Sequence, residues 1–167
     1  IMLAWSYNPI EAYSSMFSSA LGNMNGIGET IREATPLIFI AVGFAIASKA
    51  GFFNIGLPGQ AQAGWLTSIW IVLAFPKLPG YILLPFAIIS GAIAGAIVAG
   101  IAGYLRAQFG TNEVITTIML NYIVLYVCQY LMQQVMPASL RIGTDTTKTI
   151  SPNGSLKIGW LSTMFGD

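Results

Sequence analysis

Four long stretches of the chain contain no charged residue, and each is predominantly apolar. They cover residues 34–48, 50–76, 78–105 and 114–140. A soluble fold of this size needs a polar surface that these stretches do not supply. About 20 apolar residues in a helix cross the roughly 30 Å hydrocarbon core of a bilayer. The pattern therefore predicts an all-α fold, an incomplete bundle of transmembrane helices with spans at approximately 34–50, 60–76, 81–105 and 114–136.

A mixed stretch precedes the first span, and a polar stretch follows the last one. Pro9 and Glu11 are typical of a helix start, because proline fits the first turn and an acidic side chain interacts favourably with the helix N-terminus. We therefore expect a short amphipathic helix at approximately 9–21 along the membrane surface, followed by a glycine-rich turn at Gly22–Gly28. The polar composition of the C-terminal part predicts an external loop at 137–167.

The second charge-free stretch contains three glycines and a proline within ten residues, Gly51-Phe52-Phe53-Asn54-Ile55-Gly56-Leu57-Pro58-Gly59-Gln60. This composition predicts a broken helix near residues 51–60. A break at membrane depth needs protein or water to satisfy its freed backbone groups, and transporters use such breaks to bind solutes. The side chains of Asn54, Gln60 and Gln62 would then face a polar solute. The alternative is a plain turn between two ordinary spans, with its polar groups in water.

A polar stripe follows the last predicted span. Thr117, Asn121 and Cys128 lie on one face of a helix with 100° between successive residues. Polar side chains at this depth usually face the interior of the bundle or a cavity. The stripe is compatible with hydrogen bonds that hold helices together and with contacts to a solute.

The few charged and reactive residues exclude several classes of function. The chain has 7 Lys+Arg, 6 Asp+Glu, no His, one Cys and a net charge of +1. A Cys/His zinc site, an internal disulfide and a nucleic-acid footprint are therefore excluded. There is no Ser/His/Asp set, no carboxylate pair near the break and no G-x-x-x-x-G-K-[ST] phosphate loop. We expect no catalytic residue, no cofactor and no metal ligand, and any ATP hydrolysis to occur in a partner subunit.

Two segments resemble a known family. They are Lys49-Ala50-Gly51-Phe52-Phe53-Asn54-Ile55-Gly56-Leu57-Pro58-Gly59-Gln60 and Gly110-Thr111-Asn112-Glu113-Val114-Ile115-Thr116-Thr117-Ile118-Met119-Leu120-Asn121-Tyr122-Ile123, preceded by Ala34-Thr35-Pro36-Leu37. Over residues 8–136 the chain resembles the permease subunits of bacterial ATP-binding-cassette (ABC) importers for simple sugars, nucleosides and branched-chain amino acids. It is most similar to the nucleoside (basic membrane protein) branch.

The resemblance implies a multi-pass permease of the bacterial cell membrane, of which 1–167 is a single, incomplete transmembrane domain. The implied partners are cytoplasmic ABC ATPase subunits, a second permease subunit in a homo- or heterodimer, an external substrate-binding lipoprotein, the lipid bilayer and a small neutral solute. The resemblance also implies that the 106–113 loop is cytoplasmic and that the break lies beside the translocation path. The implied substrate-pathway residues are Asn54, Gly56, Gly59, Gln60, Gln62, Thr117 and Asn121.

The expected function is that of an ABC-importer permease subunit that forms a translocation path for nucleosides. Alternatives are a simple-sugar or branched-chain amino acid permease and, in a different class, a non-transporting membrane scaffold or assembly protein. Two departures from the family pattern stand out. Pro58 occupies a position where many relatives have an acidic residue, and the later cytoplasmic loop that engages the ATPase is absent from the sequence.

Overall fold

The structure is a computed structural model, and it describes residues 8–144 and 146–156. In these residues the α-helices are α1 (Pro9–Leu21), α2 (Met24–Lys49), α3 (Leu57–Ala74), α4 (Gly80–Phe109) and α5 (Glu113–Tyr130). A π-helical turn (Leu131–Val135) continues α5, and 3-10 turns lie at Ala138–Leu140 and Pro152–Gly154. Between those turns, β1 (Arg141–Ile142) pairs antiparallel with β2 (Thr146–Thr147). The predicted helical fold is confirmed, with one short ribbon added to it.

The described residues belong to two compact units, one that includes the chain up to Phe39 and one that runs from Ile40 to Leu156. In the first unit, α1 begins where the sequence predicts a helix. The side-chain oxygen of Asn8 accepts a hydrogen bond from the N–H of Ile10 at 3.1 Å, and Pro9 occupies the first turn. No residue of α1 is buried. Its position on the membrane surface stays a prediction.

The glycine-rich turn predicted at Gly22–Gly28 is much shorter in the structure, because α2 already begins at Met24. The side-chain oxygen of Asn23 accepts a hydrogen bond from the N–H of Gly26 at 2.6 Å, which is the geometry of a helix cap. The hydroxyl of Thr30 then donates to the carbonyl oxygen of Ala20 at 3.0 Å and ties the new helix to the end of α1. A cap at Asn23 therefore outweighs the low helix propensity of the glycines that follow it.

The second unit is built around α3, which packs against both α4 and α5. One buried cluster combines Leu66 of α3 with Val124 and Cys128 of α5 and with Met136. A second buried cluster joins α3 to α4 and consists of Val72, Leu83 and Ala87. Since α3 contributes to both clusters, its position determines where the other two helices lie.

The α3–α4 contact brings one backbone directly against the other. A Cβ added to Gly64 would lie 2.9 Å from the carbonyl oxygen of Gly91. A Cβ added to Gly91 would collide with the side chain of Ser68, whose hydroxyl donates to the carbonyl oxygen of Ala87 at 2.8 Å. Small residues on facing helices permit this approach. Larger side chains at either glycine would force α3 and α4 apart.

The segment after α5 folds back onto the end of that helix. The guanidinium of Arg141 donates to the carbonyl oxygen of Met132 at 3.2 Å and to that of Gln133. Carbonyls in the last turn of a helix lack intrahelical partners, and a cation near them is also favoured by the helix dipole. Arg141 therefore fixes the π-helical turn. The remainder of the predicted external loop, 157–167, lies outside the described residues.

Within the described part of the chain, three helices are long and apolar enough to cross a membrane: α2, α4, and α5 with its π-helical turn. They include the spans predicted at 34–50 and 81–105 and most of the one at 114–136. The span predicted at 60–76 falls largely on α3, which is not among the three. The two glutamines and two glycines in the first half of α3 lower its mean hydropathy. Its position in the membrane stays a prediction.

Candidate functional site

The predicted break is present between α2 and α3. At the end of α2, the N–H of Phe52 donates to the carbonyl oxygen of Ala47 at 2.9 Å and that of Gly51 donates to Ser48 at 3.0 Å. This is a Schellman cap, and it needs the left-handed φ of 75° that Gly51 adopts. The next helix resumes at Leu57, three residues before Gln60. Pro58 lies in its first turn, where a missing N–H is no loss.

Asn54 organises the short segment between the two helices. Its side-chain oxygen accepts hydrogen bonds from the N–H of Gly56 at 2.9 Å and from Nε2 of Gln60 at 3.1 Å. Its Nδ2 donates back to Oε1 of Gln60 at 3.2 Å, so the two amides pair head to head. Asn54 is 5% exposed. The side chain thus replaces the backbone partners that the break removes.

Two residues of α5 hold the break from the other side. The hydroxyl of Thr117 accepts from the N–H of Ile55 at 3.3 Å and donates to the carbonyl oxygen of Glu113 at 2.7 Å. Asn121 bridges both sides of the helix start, because its oxygen accepts from the N–H of Gly59 at 2.9 Å and its Nδ2 donates to the carbonyl oxygen of Ile55 at 3.0 Å. Thr117 is fully buried. The break therefore packs beside the first turns of α5.

The glycines of this site allow the α2–α3 connection and the first turn of α3 to lie close to α5. A Cβ at Gly59 would lie 2.8 Å from the side-chain oxygen of Asn121 and 3.0 Å from its Cα. A Cβ at Gly56 would lie 3.1 Å from both Asn54 and Thr117. Six of the seven predicted pathway residues thus form one hydrogen-bonded group, which we name the break cluster. It consists of Asn54, Gly56, Gly59, Gln60, Thr117 and Asn121.

Arg106 borders the break cluster at the end of the bundle where α4 meets α5. Its guanidinium forms an ion pair with the carboxylate of Glu113 at 2.5 Å, and the two side chains are 37% and 21% exposed. The same guanidinium lies over the ring of Phe52, 5.6 Å from the ring centroid. Arg106 therefore links the 50–56 segment to the first turn of α5.

The seventh predicted residue, Gln62, lies outside the break cluster. It lines a cavity of about 330 Å³ between α3 and α5, which we name the α3–α5 cavity. The walls are Gln62, Trp65 and Leu66 from α3, Leu125, Cys128 and Gln129 from α5, and Met132 from the π-helical turn. Its volume falls within the range of about 300–1,000 Å³ found for small-molecule sites.

The amides of the α3–α5 cavity differ from those of the break cluster in having no hydrogen-bond partner in the described part of the chain. Among the described residues, the side chains of Gln62 and Gln129 make no hydrogen bond and no ion pair. Trp65 is 54% exposed beside them. The described residues that line the cavity include no charged side chain. The arrangement offers free donors and acceptors next to an aromatic face.

The sequence pattern does not predict three residues of the cavity as site residues: Trp65, Gln129 and Met132. The signal for Gln129 is weak but present, since it is an isolated amide within the apolar run that follows Asn121. Trp65 lies one helical turn after Gln62, which places the two on one face of α3. Within residues 8–144 and 146–156, no group of three or more Asp, Glu, His and Cys side chains is placed to hold a metal ion.

Comparison with known proteins identifies related permeases. The nucleoside ABC transporter permease protein NupB of Lactococcus lactis subsp. cremoris is 46% identical over 166 residues, which are 98% of this chain and 46% of that protein. The guanosine ABC transporter permease protein NupP of Bacillus subtilis is 38% identical over 96% of this chain and 45% of that protein. The glucose ABC transporter permease protein TsgB13 of Haloferax volcanii is 35% identical over 79% of this chain and 34% of that protein.

The chain spans less than half the length of these curated relatives. No solved structure matches it significantly. The family described as the branched-chain amino acid transport system / permease component matches residues 26–159, which include the break cluster and the α3–α5 cavity. The chain therefore belongs to this family of transport-system permease components.

Proposed function

We propose that the chain is part of the permease subunit of an ABC importer and contributes to a translocation path for nucleosides. The observation that carries this proposal is the similarity to two permeases whose names assign them to nucleosides and to guanosine, each matched over nearly the whole chain. In this proposal the chain is not an enzyme. ATP is hydrolysed by cytoplasmic ABC ATPase subunits, and the permease responds to them.

The proposed assembly follows from the same relationship. A second permease subunit, identical or different, completes the path, and an external substrate-binding lipoprotein delivers the solute. The complex lies in the bacterial cell membrane, with several helices crossing the bilayer. Transport proceeds by alternating access, in which the paired permeases open first to one side of the membrane and then to the other.

The chemistry of the second unit supports a neutral solute. No charged residue lies on α3, and Glu113 is the charged residue of α5. A nucleoside presents hydroxyl groups and ring nitrogens, which hydrogen-bond well to amides without requiring a countercharge. We propose that the break cluster shapes the wall of the path and that Gln62 faces the solute. This assigns different roles to the seven pathway residues predicted from the sequence.

Uptake by whole cells tests the proposal. A strain that carries the full-length permease with its neighbouring transport genes is compared with a permease deletion for uptake of labelled guanosine and uridine. We expect the deletion to abolish most of the uptake and the restored permease gene to return it. Equal uptake in both strains would reject the nucleoside assignment.

Competition between solutes separates the alternatives within the class. A glucose permease is favoured by the Haloferax volcanii relative, and a branched-chain amino acid permease by the description of the family. An excess of unlabelled guanosine should suppress the uptake of uridine, whereas glucose and leucine should not. A scaffold without transport activity predicts instead that the deletion changes membrane assembly and leaves the uptake of all four solutes unchanged.

A further inference from the structure

We propose that the α3–α5 cavity is a solute subsite that takes a planar heterocyclic ring, stacked on Trp65 and hydrogen-bonded at its edge by Gln62 and Gln129. The inference rests on the proposed function, because it names the part of the path that would recognise a nucleoside. The proposed site that recognises the ring of the solute therefore lies outside the break cluster.

The amides of the break cluster and those of the cavity differ in whether protein groups occupy their polar atoms. In the break cluster, Asn54, Gln60 and Asn121 have their polar atoms occupied by protein partners. In the cavity, Gln62 and Gln129 have no such partner among the described residues. A donor and an acceptor that no protein group occupies are available to a ligand.

An amide side chain that faces lipid has no hydrogen-bond partner there, which is energetically costly. Gln129 is exposed on a helix that is long and apolar enough to span the membrane. Polar side chains on such helices usually face protein or a water-filled cavity, because hydrocarbon offers them no hydrogen bond. We therefore expect this face of α5 to face protein or water. A water-filled path leaves the amide of Gln129 free to bond a solute, and the proposal places the cavity beside that path.

The side chains of the cavity combine primary amides with an aromatic ring. A primary amide presents a donor and an acceptor side by side, which matches the N–H and C=O groups at the edge of a nucleobase. The half-exposed indole of Trp65 adds a flat surface, and stacking of a base on an aromatic ring contributes about 1–3 kcal/mol. An amino acid zwitterion would need a charged partner, and no charged side chain lines this cavity.

Paired variants of the full-length permease in its complete complex test the subsite. Gln129→Leu removes an amide from the cavity, while Gln134→Leu makes the same change five residues away at an exposed position outside it. At equal membrane levels, we expect Gln129→Leu to reduce the maximal rate of guanosine uptake about 3- to 10-fold, as for the loss of one hydrogen bond. Gln134→Leu should stay within about twofold of the wild type. Equal rates for the two variants would overturn the proposal.

The aromatic wall has its own test. Trp65→Ala should lower the maximal uptake rate by about 5-fold or more, and Trp65→Phe, which keeps an aromatic face, should recover most of it. Equal losses in the two variants at equal membrane levels would contradict stacking.

Protection from a thiol reagent separates this inference from the proposed function. Gln129→Cys is introduced with Cys128→Ala into the full complex, without other reactive cysteines, and is labelled with a maleimide. We expect guanosine and uridine to slow the labelling severalfold, and glucose and leucine to leave it unchanged. Slowing by glucose alone would overturn the assignment of a planar ring. A cysteine that does not react in the absence of solute would show that protein fills the cavity, which also overturns it.

Failure of the subsite proposal and failure of the proposed function give different experimental results. If the wild-type complex imports nucleosides but they do not protect the cysteine at position 129, only the subsite is wrong. If the wild-type complex imports no nucleoside, the proposed function is wrong, whatever the labelling result.

Discussion

The break cluster and the α3–α5 cavity both contain amide side chains from α3 and α5, yet the hydrogen bonds of those amides differ. Asn121 in the break cluster bonds one backbone group of the α2–α3 connection, the carbonyl of Ile55, and one in the first turn of α3, the N–H of Gly59. Gln129, two turns further along α5, bonds no described residue. The first region uses amides to build a structure that the backbone alone would not adopt. The second keeps its amides free, and that difference separates the residues that maintain the fold from those available to a solute.

The largest expected effect is on the free energy of unfolding, when an amide of the break cluster is replaced by leucine and the same replacement is made in the cavity. Asn121→Leu would leave the N–H of Gly59 and the carbonyl of Ile55 without partners, each at a cost of about 1–3 kcal/mol. We therefore expect the free energy of unfolding to fall by about 2–6 kcal/mol in Asn121→Leu and to change by less than about 0.5 kcal/mol in Gln129→Leu. Thermal unfolding of the purified permease measures both. Similar stabilities would remove the distinction between the two regions.

A smaller loss is expected when the space beside Asn121 is filled. A Cβ at Gly59 would lie 3.0 Å from the Cα of Asn121, which is backbone that a rotamer change does not move. Gly59→Ala should therefore reduce the free energy of unfolding by about 1–3 kcal/mol. Gly103→Ala is the matched control, because nothing lies within 4 Å of a Cβ there. The control should be neutral or slightly stabilising, as alanine is a better helix former.

The next effect should be confined to the break itself. Thr117→Val keeps the shape of the side chain but removes the acceptor for the N–H of Ile55. Because that hydrogen bond is long, at 3.3 Å, we expect a cost of about 1 kcal/mol, at the low end for an unpaired backbone group. We expect faster amide hydrogen exchange in residues 52–57. Thr116→Val is the control, because the native hydroxyl donates to the carbonyl oxygen of Asn112 at the N-cap of α5 and to the hydroxyl of Thr111, neither of which belongs to the break. Unchanged exchange in Thr117→Val would mean that this hydrogen bond does not hold the segment.

The smallest effect is expected at the ion pair that borders the break cluster. Both Arg106 and Glu113 are partly exposed, and pairs of this kind contribute roughly 0–1 kcal/mol. Glu113→Gln should therefore lower the midpoint of unfolding slightly at low salt, and the difference should shrink at high salt as the charges are screened. A loss as large as that of Asn121→Leu would place the pair inside the structural core of the break.

The sequence predicts the break well because its cause is local. Three glycines and a proline within ten residues disfavour a continuous helix through the local backbone, and Gly51 indeed has the left-handed φ of a helix cap. The shared face of Thr117, Asn121 and Cys128 is equally local, since it follows from the helix period. In the structure these three residues lie on the side of α5 that packs against α3.

The sequence does not predict which residues the site residues contact, because those partners come from distant parts of the chain. Composition alone does not reveal that Asn121 bonds Gly59, 62 residues earlier, or that Gln62 lines a cavity with Gln129. Gln62 was therefore grouped with Asn54 and Gln60 by proximity in sequence. The α2 start at Met24 was missed because a single cap at Asn23 outweighs the glycines that follow.

The glycine contact between α3 and α4 limits how this part of the molecule can rearrange. Because their backbones touch at Gly64 and Gly91, we expect α3 and α4 to move together. A rearrangement that widens or narrows the second unit is then expected on the other side of α3. That side holds the α3–α5 cavity, where side chains meet with more space between them.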